Sequence, residues 1–301
     1  MQLRSAMTWS LFAAMTAVCG AQSTPGTGDA GKQPVVSTDP GATVKPPLPY
    51  KPKNNLPTIY LVGDSTVRNG KADGASGQWG WGEPLVEYFD TNKINIVNRA
   101  IGGRSSRTYI TEGRWDELLT IVKPGDFVII QFGHNDPGPL DDTSRARGSI
   151  PGVGEETREI DNPVTHKHEV VHTYGWYMRK YVTEAQAKGA TPIVCSQVPR
   201  KIWKDGHIVR SSDSYAGWAK QVAASQKADF VDLNEIIARI YDGQGEAAVE
   251  KFFADPHTHT SWAGAELNAQ SVVAGLKALP DHPLDRFLND RGAAIRADSG
   301  H

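Results

Sequence analysis

Ile59-Tyr60-Leu61-Val62-Gly63-Asp64-Ser65-Thr66 is an apolar run of β-branched and aromatic residues that stops abruptly at a Gly-Asp-Ser turn. A short run of this kind, bounded by turn residues, reads as a strand buried on both faces. The turn lifts the small hydroxyl of Ser65 to the carboxyl edge of a sheet, where open α/β sheets gather loop amides and helix N-termini. Ser65 is therefore a candidate nucleophile. Gly, Asp and Ser are also ordinary turn residues, so the weight of this reading depends on what else reaches that edge.

Working outward, similar β-rich runs recur at 94–97, 127–132, 192–196 and 230–233. Amphipathic segments fall between them at 81–89, 114–122, 171–188 and 215–226, and 261–279 reads as a terminal helix. Five buried-type strands separated by helices predict a parallel sheet covered on both faces, a three-layer α/β/α sandwich. The rhythm breaks over 136–167, which is rich in Gly, Pro, Asp and Ser. So long a loop inside a compact domain is usually functional or disordered. Because it follows the third strand, it should overhang the edge that carries Ser65.

The chain of 301 residues is long enough for a full core, and its formal net charge of -2 gives no basic excess. Bulk electrostatic binding to nucleic acid or an anionic membrane is therefore not expected. At the amino end, Arg4, an apolar stretch over 6–18 and the small residues Cys19, Gly20 and Ala21 follow the order of a signal peptide, with cleavage expected after Ala21. The apolar stretch is shorter than the roughly 20 residues needed to span a bilayer. Lipid attachment at Cys19 is the poorer reading, because Val18 is bulky for that site. A flexible linker rich in Pro, Gly, Ser and Thr is expected over 22–57, the catalytic domain over 58–280, and a tail without recognisable signals over 281–301. The mature chain is expected to be secreted or periplasmic. With Cys19 removed, Cys195 is left alone, so no intrachain disulfide can form.

Three further blocks fall at the ends of expected elements. Asn98-Arg99-Ala100-Ile101-Gly102-Gly103-Arg104-Ser105 follows the second strand, and its adjacent glycines allow backbone N–H groups to approach a ligand closely. Phe132-Gly133-His134-Asn135-Asp136 closes the third strand, and the Asn135 side chain supplies an uncharged donor suited to a developing oxyanion. Asp255-Pro256-His257-Thr258-His259-Thr260-Ser261 precedes the terminal helix. A histidine there can act as general base toward Ser65 with Asp255 orienting it, while Thr260 or Ser261 can cap the helix. Taken alone, the first two of these blocks are better explained by turn chemistry, and in the third capping and catalysis are compatible.

Taken in order, Ser65 in G-D-S-T, a glycine in A-I-G-G-R-S, Asn135 in G-H-N-D and the late Asp/His pair resemble an SGNH (GDSL-type) hydrolase. The closer resemblance is to rhamnogalacturonan acetylesterases. It is carried by N-R-A-I-G-G-R-S-S-R-T-Y, E-G-R-W, F-G-H-N-D and H-T-H-T-S-x-A-G-A, and spans roughly 58–279. The resemblance implies a flavodoxin-like sheet, Ser65 as nucleophile, His259 as base and Asp255 as its partner. It also implies an oxyanion hole built from the Ser65 amide, the Gly103 amide and the Asn135 side chain, with no cofactor. Family members place the Asp three residues before the catalytic His, whereas Asp255 lies four before His259 and two before His257, with Pro256 resembling an insertion. His257 therefore stands as the alternative base.

Asp64, Arg104 and His257 are candidate substrate contacts, and Arg104 and Arg107 could meet acidic sugars or serve as internal ion pairs. His166, His168 and His172 are closely spaced, the last two as if on one helix face, but no paired carboxylate or Cys pattern accompanies them and no metal is expected. Most of Trp79, Trp81, Trp176, Trp203 and Trp218 should be core, with a minority near the catalytic edge free to stack on sugar rings. The implied reaction is removal of O-acetyl groups from an acetylated plant cell-wall polysaccharide, with rhamnogalacturonan foremost. An acetyl-xylan or general short-chain carbohydrate esterase is the alternative within that chemistry, and an inactive carbohydrate-binding protein is the alternative outside it.

Overall fold

Alternation along the first strand sets up two cores. In the computed structural model, which describes residues 53, 55–68 and 75–300, β1 (Thr58–Gly63) sends Ile59 and Leu61 to one face and Tyr60 and Val62 to the other, all of them buried. β2 (Asn95–Asn98) and β3 (Phe127–Gln131) repeat the pattern, with Phe127 and Ile129 on the first face and Val128 and Ile130 on the second. Residues apolar at every position suit a strand covered on both sides. Truncating Ile129 or Ile130 to Ala is expected to cost about 2–5 kcal/mol.

β4 (Thr157–Asn162) and β5 (Lys167–His172) form an antiparallel hairpin apart from the main sheet, as do β7 (Trp203–Lys204) and β8 (His207–Ile208). β6 (Thr191–Cys195) and β9 (Asp229–Val231) complete the central sheet, whose order is β2-β1-β3-β6-β9 with every pair parallel. This is the expected three-layer α/β/α sandwich of flavodoxin-like order. After β2 the chain crosses to the far side of β1 to enter β3, so connections diverge there and open a crevice at the carboxyl ends. Register pairs Leu61 with Asn98 and Gly63 with Gln131, so the loops after β1, β2 and β3 emerge side by side.

One face is covered by α1 (Ser106–Thr111), α2 (Arg114–Leu119), α3 (Tyr174–Ala187) and α4 (Tyr215–Ser225), which contribute Tyr109, Trp115, Tyr181 and Val222 to that core. The other face is covered by α5 (Leu233–Gln244), α6 (Glu246–Val249) and α7 (Trp262–Lys277), which contribute Ile237, Val249 and Val272. α8 (Asp290–Ala293) lies near the end of the chain.

Several expectations change. The helix expected over 81–89 is shortened to a 3₁₀ turn at Pro84–Tyr88, and the chain before it is pinned at Gly80, where a Cβ would meet Val67 C at 2.2 Å. Residues 171 and 172 belong to β5, and the following helix starts at Tyr174 behind Thr173, whose side chain accepts the Trp176 N–H. The 136–167 stretch is not loop throughout, since it contains β4. The strand expected to reach 233 stops at Val231, and Asp232 caps α5 through the Glu235 N–H. Packing also continues past Pro280, with Leu284 and Phe287 buried in the first core.

The leader expected over 1–21 and nearly all of the 22–57 linker lie outside the described residues. Where that linker meets the sheet, the Lys53 N–H donates to Asn95 Oδ1 at 3.1 Å and Asn95 Nδ2 returns a bond to Lys53 O at 3.1 Å. Cys195 is buried and free, and burial pushes its thiol pKa up. Among the described residues no helix is long and apolar enough to cross a membrane.

Candidate active site

The turn after β1 is held from within. The Val67 and Arg68 N–H groups both donate to Asp64 O, at 3.2 and 3.0 Å, so the chain doubles back immediately. Glycine is required at position 63, since a Cβ there would lie 2.5 Å from Val67 Cγ2 and 2.6 Å from Gln131 O. Asp64 Oδ1 accepts from the Thr66 N–H and the Thr66 hydroxyl, both at 2.8 Å. Gln131 Nε2 donates to Thr66 Oγ1 at 2.6 Å, and Trp81 Nε1 donates to Gln131 Oε1 at 2.8 Å. This continuous buried chain of polar bonds fixes the backbone that presents Ser65.

The loop before α7 brings the partner histidine. The Ala254 N–H donates to His259 O at 2.9 Å and the Ser261 N–H to Phe252 O at 2.9 Å, which closes residues 255–258 into a tight loop. Asp255 fills its centre. Its Oδ1 accepts the N–H groups of His257, Thr258 and His259 at 3.0, 2.7 and 3.0 Å. Pro256, which has no N–H, starts the turn and leaves those three amides to converge. Asp255 Oδ2 lies 2.5 Å from His259 Nδ1, and His259 Nε2 lies 2.9 Å from Ser65 Oγ. Burial pushes the Asp255 pKa up, but the amide and imidazole hydrogen bonds outweigh it and hold the group below the ordinary carboxylate range. A hydroxyl bonded to an imidazole that is itself oriented by a carboxylate can be deprotonated as it attacks an electrophile.

Donors converge beside this pair. Gly103 has φ +79°, a left-handed conformation that favours glycine. Neither the Ser65 N–H nor the Gly103 N–H donates to an acceptor among the described residues. Asn135 Nδ2 gives one hydrogen to Arg104 O at 2.8 Å, which orients the amide and leaves its second hydrogen for another acceptor. Ser65, Gly102, Gly103, Asn135 and His259 line a cavity of about 340 Å³.

Other side chains complete that cavity. Arg145 and Arg147, from the loop after β3, and Arg200, after β6, line it together with His134 and Thr258. The 136–167 segment thus overhangs the Ser65 edge through its two arginines. Burial lowers the His134 pKa to about 4, so its imidazole is neutral at neutral pH. The three arginines carry no motif signal, since they lie outside the four blocks.

The candidate substrate contacts differ from expectation. Asp64 is wholly buried and faces the internal chain of bonds rather than the cavity. Arg104 is 1% exposed, with Nε on Glu112 Oε2 at 3.1 Å and Nη1 on Gly102 O at 3.1 Å, so it braces the glycine loop from behind. His257 is exposed and turns its Nδ1 to Thr258 Oγ1 at 2.5 Å, and its ring does not line the cavity. Arg107 is an internal ion pair with Glu169 at 2.6 Å. His168 and His172 lie on β5 rather than on a helix. His168 pairs with Asp161, and His172 stacks on Trp176 at 3.8 Å. Among the described residues no group of three or more His, Cys, Asp or Glu side chains could hold a metal ion. A larger open depression of about 610 Å³ between α5, α7 and residues 295–299 lacks a nucleophile–base pair, and Ser271 there donates its hydroxyl to Leu267 O at 2.9 Å.

The GDSL-like lipase/acylhydrolase family matches residues 61–267. A rhamnogalacturonan acetylesterase of Emericella nidulans is 35% identical over 217 residues, covering 72% of this chain and 83% of that protein. The probable rhamnogalacturonan acetylesterase YesY of Bacillus subtilis is 31% identical over 238 residues, covering 77% of this chain and 98% of that protein. The crystal structure of the Bacillus subtilis protein YxiM aligns with a TM-score of 0.59 at 25% identity, covering 74% of this chain and 56% of that longer one. Sequence, sheet order and the edge that carries Ser65 agree: this chain belongs to the GDSL-like lipase/acylhydrolase family.

Proposed function

We propose that this chain is a serine esterase that removes O-acetyl groups from a plant cell-wall polysaccharide, rhamnogalacturonan foremost. The reading is carried by the 2.9 Å approach of His259 Nε2 to Ser65 Oγ, with Asp255 on the far side of the ring. The names of the relatives at 35% and 31% identity support the acetyl-polysaccharide assignment.

In this mechanism Ser65 Oγ attacks the acetyl carbonyl carbon as its proton passes to His259 Nε2. The oxyanion accepts hydrogen bonds from three neutral donors, the Ser65 amide, the Gly103 amide and the second hydrogen of Asn135 Nδ2. Collapse breaks the bond to the sugar oxygen, which leaves with the proton held by His259, and acetyl-Ser65 remains. A water gives its proton to His259 and attacks the acyl carbon. Acetate departs, and Ser65 regains its proton.

The test is acetate release from acetylated rhamnogalacturonan and acetylated xylan at matched acetyl content. Faster release from rhamnogalacturonan is expected. Faster release from xylan would transfer the assignment to acetyl-xylan, and polysaccharide binding without any release would favour the inactive binding protein.

A further inference from the structure

Many arginines of the domain sit against a carboxylate: Arg104 on Glu112 at 3.1 Å, Arg107 on Glu169 at 2.6 Å, Arg210 on Asp242 at 2.6 Å and Arg239 on Asp298 at 2.7 Å. The cavity beside Ser65 departs from that pattern. Arg145, Arg147 and Arg200 all line it, and none has a carboxylate within 4.0 Å among the described residues. The chain as a whole carries a net charge of -2, so this gathering of cations is local.

Two of the three are anchored to the backbone of the donor loops. Arg147 Nη1 donates to Gly103 O at 3.1 Å, and Arg200 Nη2 donates to His134 O at 3.2 Å. A guanidinium has five N–H donors, so each anchored fork retains donors beyond the one it uses. Burial lowers the Arg147 pKa, and the like charge of Arg145 adds to the effect, while Asp64, Asp136 and Asp142 act on it only from beyond ion-pair distance. Arg147 and Arg200 are half-buried and Arg145 is exposed, and like charges set side by side with no carboxylate at ion-pair distance among the described residues are unfavourable in the empty protein. A ligand carboxylate relieves that cost, and the planar fork matches its two oxygens.

We propose that Arg145, Arg147 and Arg200 form a carboxylate-binding subsite that seats an acidic sugar unit of the polymer beside the acetylated unit at Ser65. The inference rests on the esterase reading only for what occupies Ser65. Arg147, through Gly103 O, also positions the glycine loop next to the expected oxyanion, whereas Arg145 and Arg200 act on substrate affinity.

Binding is measured by calorimetry on Ser65→Ala protein with an oligogalacturonide and with the same oligomer after its carboxyl groups are reduced to alcohols. The acidic oligomer should bind at least about 10-fold more tightly, with a preference that shrinks as salt is raised. In Arg145→Gln/Arg200→Gln on the same background the preference should fall to within about 2-fold. Equal affinity for the two oligomers, or a preference that survives the double substitution, overturns the subsite. If the double variant folds poorly, the carboxyl-reduction comparison in the parent decides alone. Acetate release by the unsubstituted enzyme is assayed in parallel: its absence with the charge preference intact would remove the esterase reading and leave the subsite standing.

Discussion

Asp255 holds His259 twice, through Oδ1 to the backbone N–H at 3.0 Å and through Oδ2 to Nδ1 at 2.5 Å. The four-residue spacing between them therefore needs no distortion of the ring, because the additional residue is absorbed in a loop wound around the carboxylate itself. The same winding leaves His257 exposed on the outside of the turn.

Asp255→Asn keeps an oxygen for the three amides but removes the carboxylate that fixes the His259 tautomer and supports its positive charge. Under the proposed mechanism kcat should fall on the order of 10³–10⁴-fold with KM nearly unchanged. Steady-state acetate release on a soluble acetyl ester checks this, and a drop of less than 10-fold would mean that Asp255 serves the loop alone.

Asn135→Ala removes one of three donors and should lower kcat on the order of 10²–10³-fold with little change in melting temperature. Gly103→Ala should do more, since a Cβ at φ +79° costs about 1–2 kcal/mol of backbone strain beside the same amide. Paired kinetics and thermal melts separate the two. Equal melting temperatures for the two variants would contradict the strain argument.

Glu169→Gln should be among the more destabilising single changes. Arg107 is wholly buried and holds Glu169 with two bonds of 2.6 Å, while its Nη1 grips Leu140 O at 3.0 Å and Gly148 O at 2.8 Å. Leaving that charge unpaired is expected to cost about 3–5 kcal/mol and to loosen the loop bearing Arg145 and Arg147. Thermal melting reads the first effect and KM for an acidic acetylated polymer reads the second. A melting temperature within about 2 °C of the parent would contradict it.

Two residues at the end of the third strand pull stability in opposite directions with pH. Burial raises Asp136 from 3.8 to about 6, with the Ser106 and Ser149 hydrogen bonds offsetting part of the shift. The folded state therefore binds that proton more tightly, so the stabilisation is full below about 4 and lost as pH rises through about 6. Burial lowers His134 from 6.5 to about 4, so its stabilisation is present above about 6.5 and lost as pH falls through about 4. On acidification the melting temperature should fall more steeply in Asp136→Asn than in the parent, and less steeply in His134→Asn. Parallel curves for all three proteins would refute both assignments.

The sheet strands were legible because residues such as Ile59, Ile129 and Val194 are apolar on both faces, a pattern no loop sustains. The β4–β5 hairpin was not, since Thr157, Arg158, Glu159 and Asp161 are exposed and present no alternation. α5 carries a sequence signal of its own, with Asp232 and Glu235 three apart ahead of Ile236, Ile237 and Ile240, but the apolar start of the segment merges with the preceding strand. The four motif blocks carry Ser65, Gly103, Asn135 and His259 to one cavity because three of them follow sheet strands and the fourth leads into α7. Arg145, Arg147 and Arg200 lie outside those blocks, whereas Arg104 and Arg107 stand in or beside the second block, where Glu112 and Glu169 neutralise them.

The central claim is that His259 activates Ser65 as a nucleophile, and covalent labelling tests it most directly. The purified chain is treated with a serine-directed alkyl phosphonate fluoride, and the adduct is located by peptide mass spectrometry. The account predicts one stoichiometric adduct on Ser65, formed far more slowly in His259→Ala, with acetate release lost in step. Labelling at another residue, or full acetate release by Ser65→Ala, would contradict it.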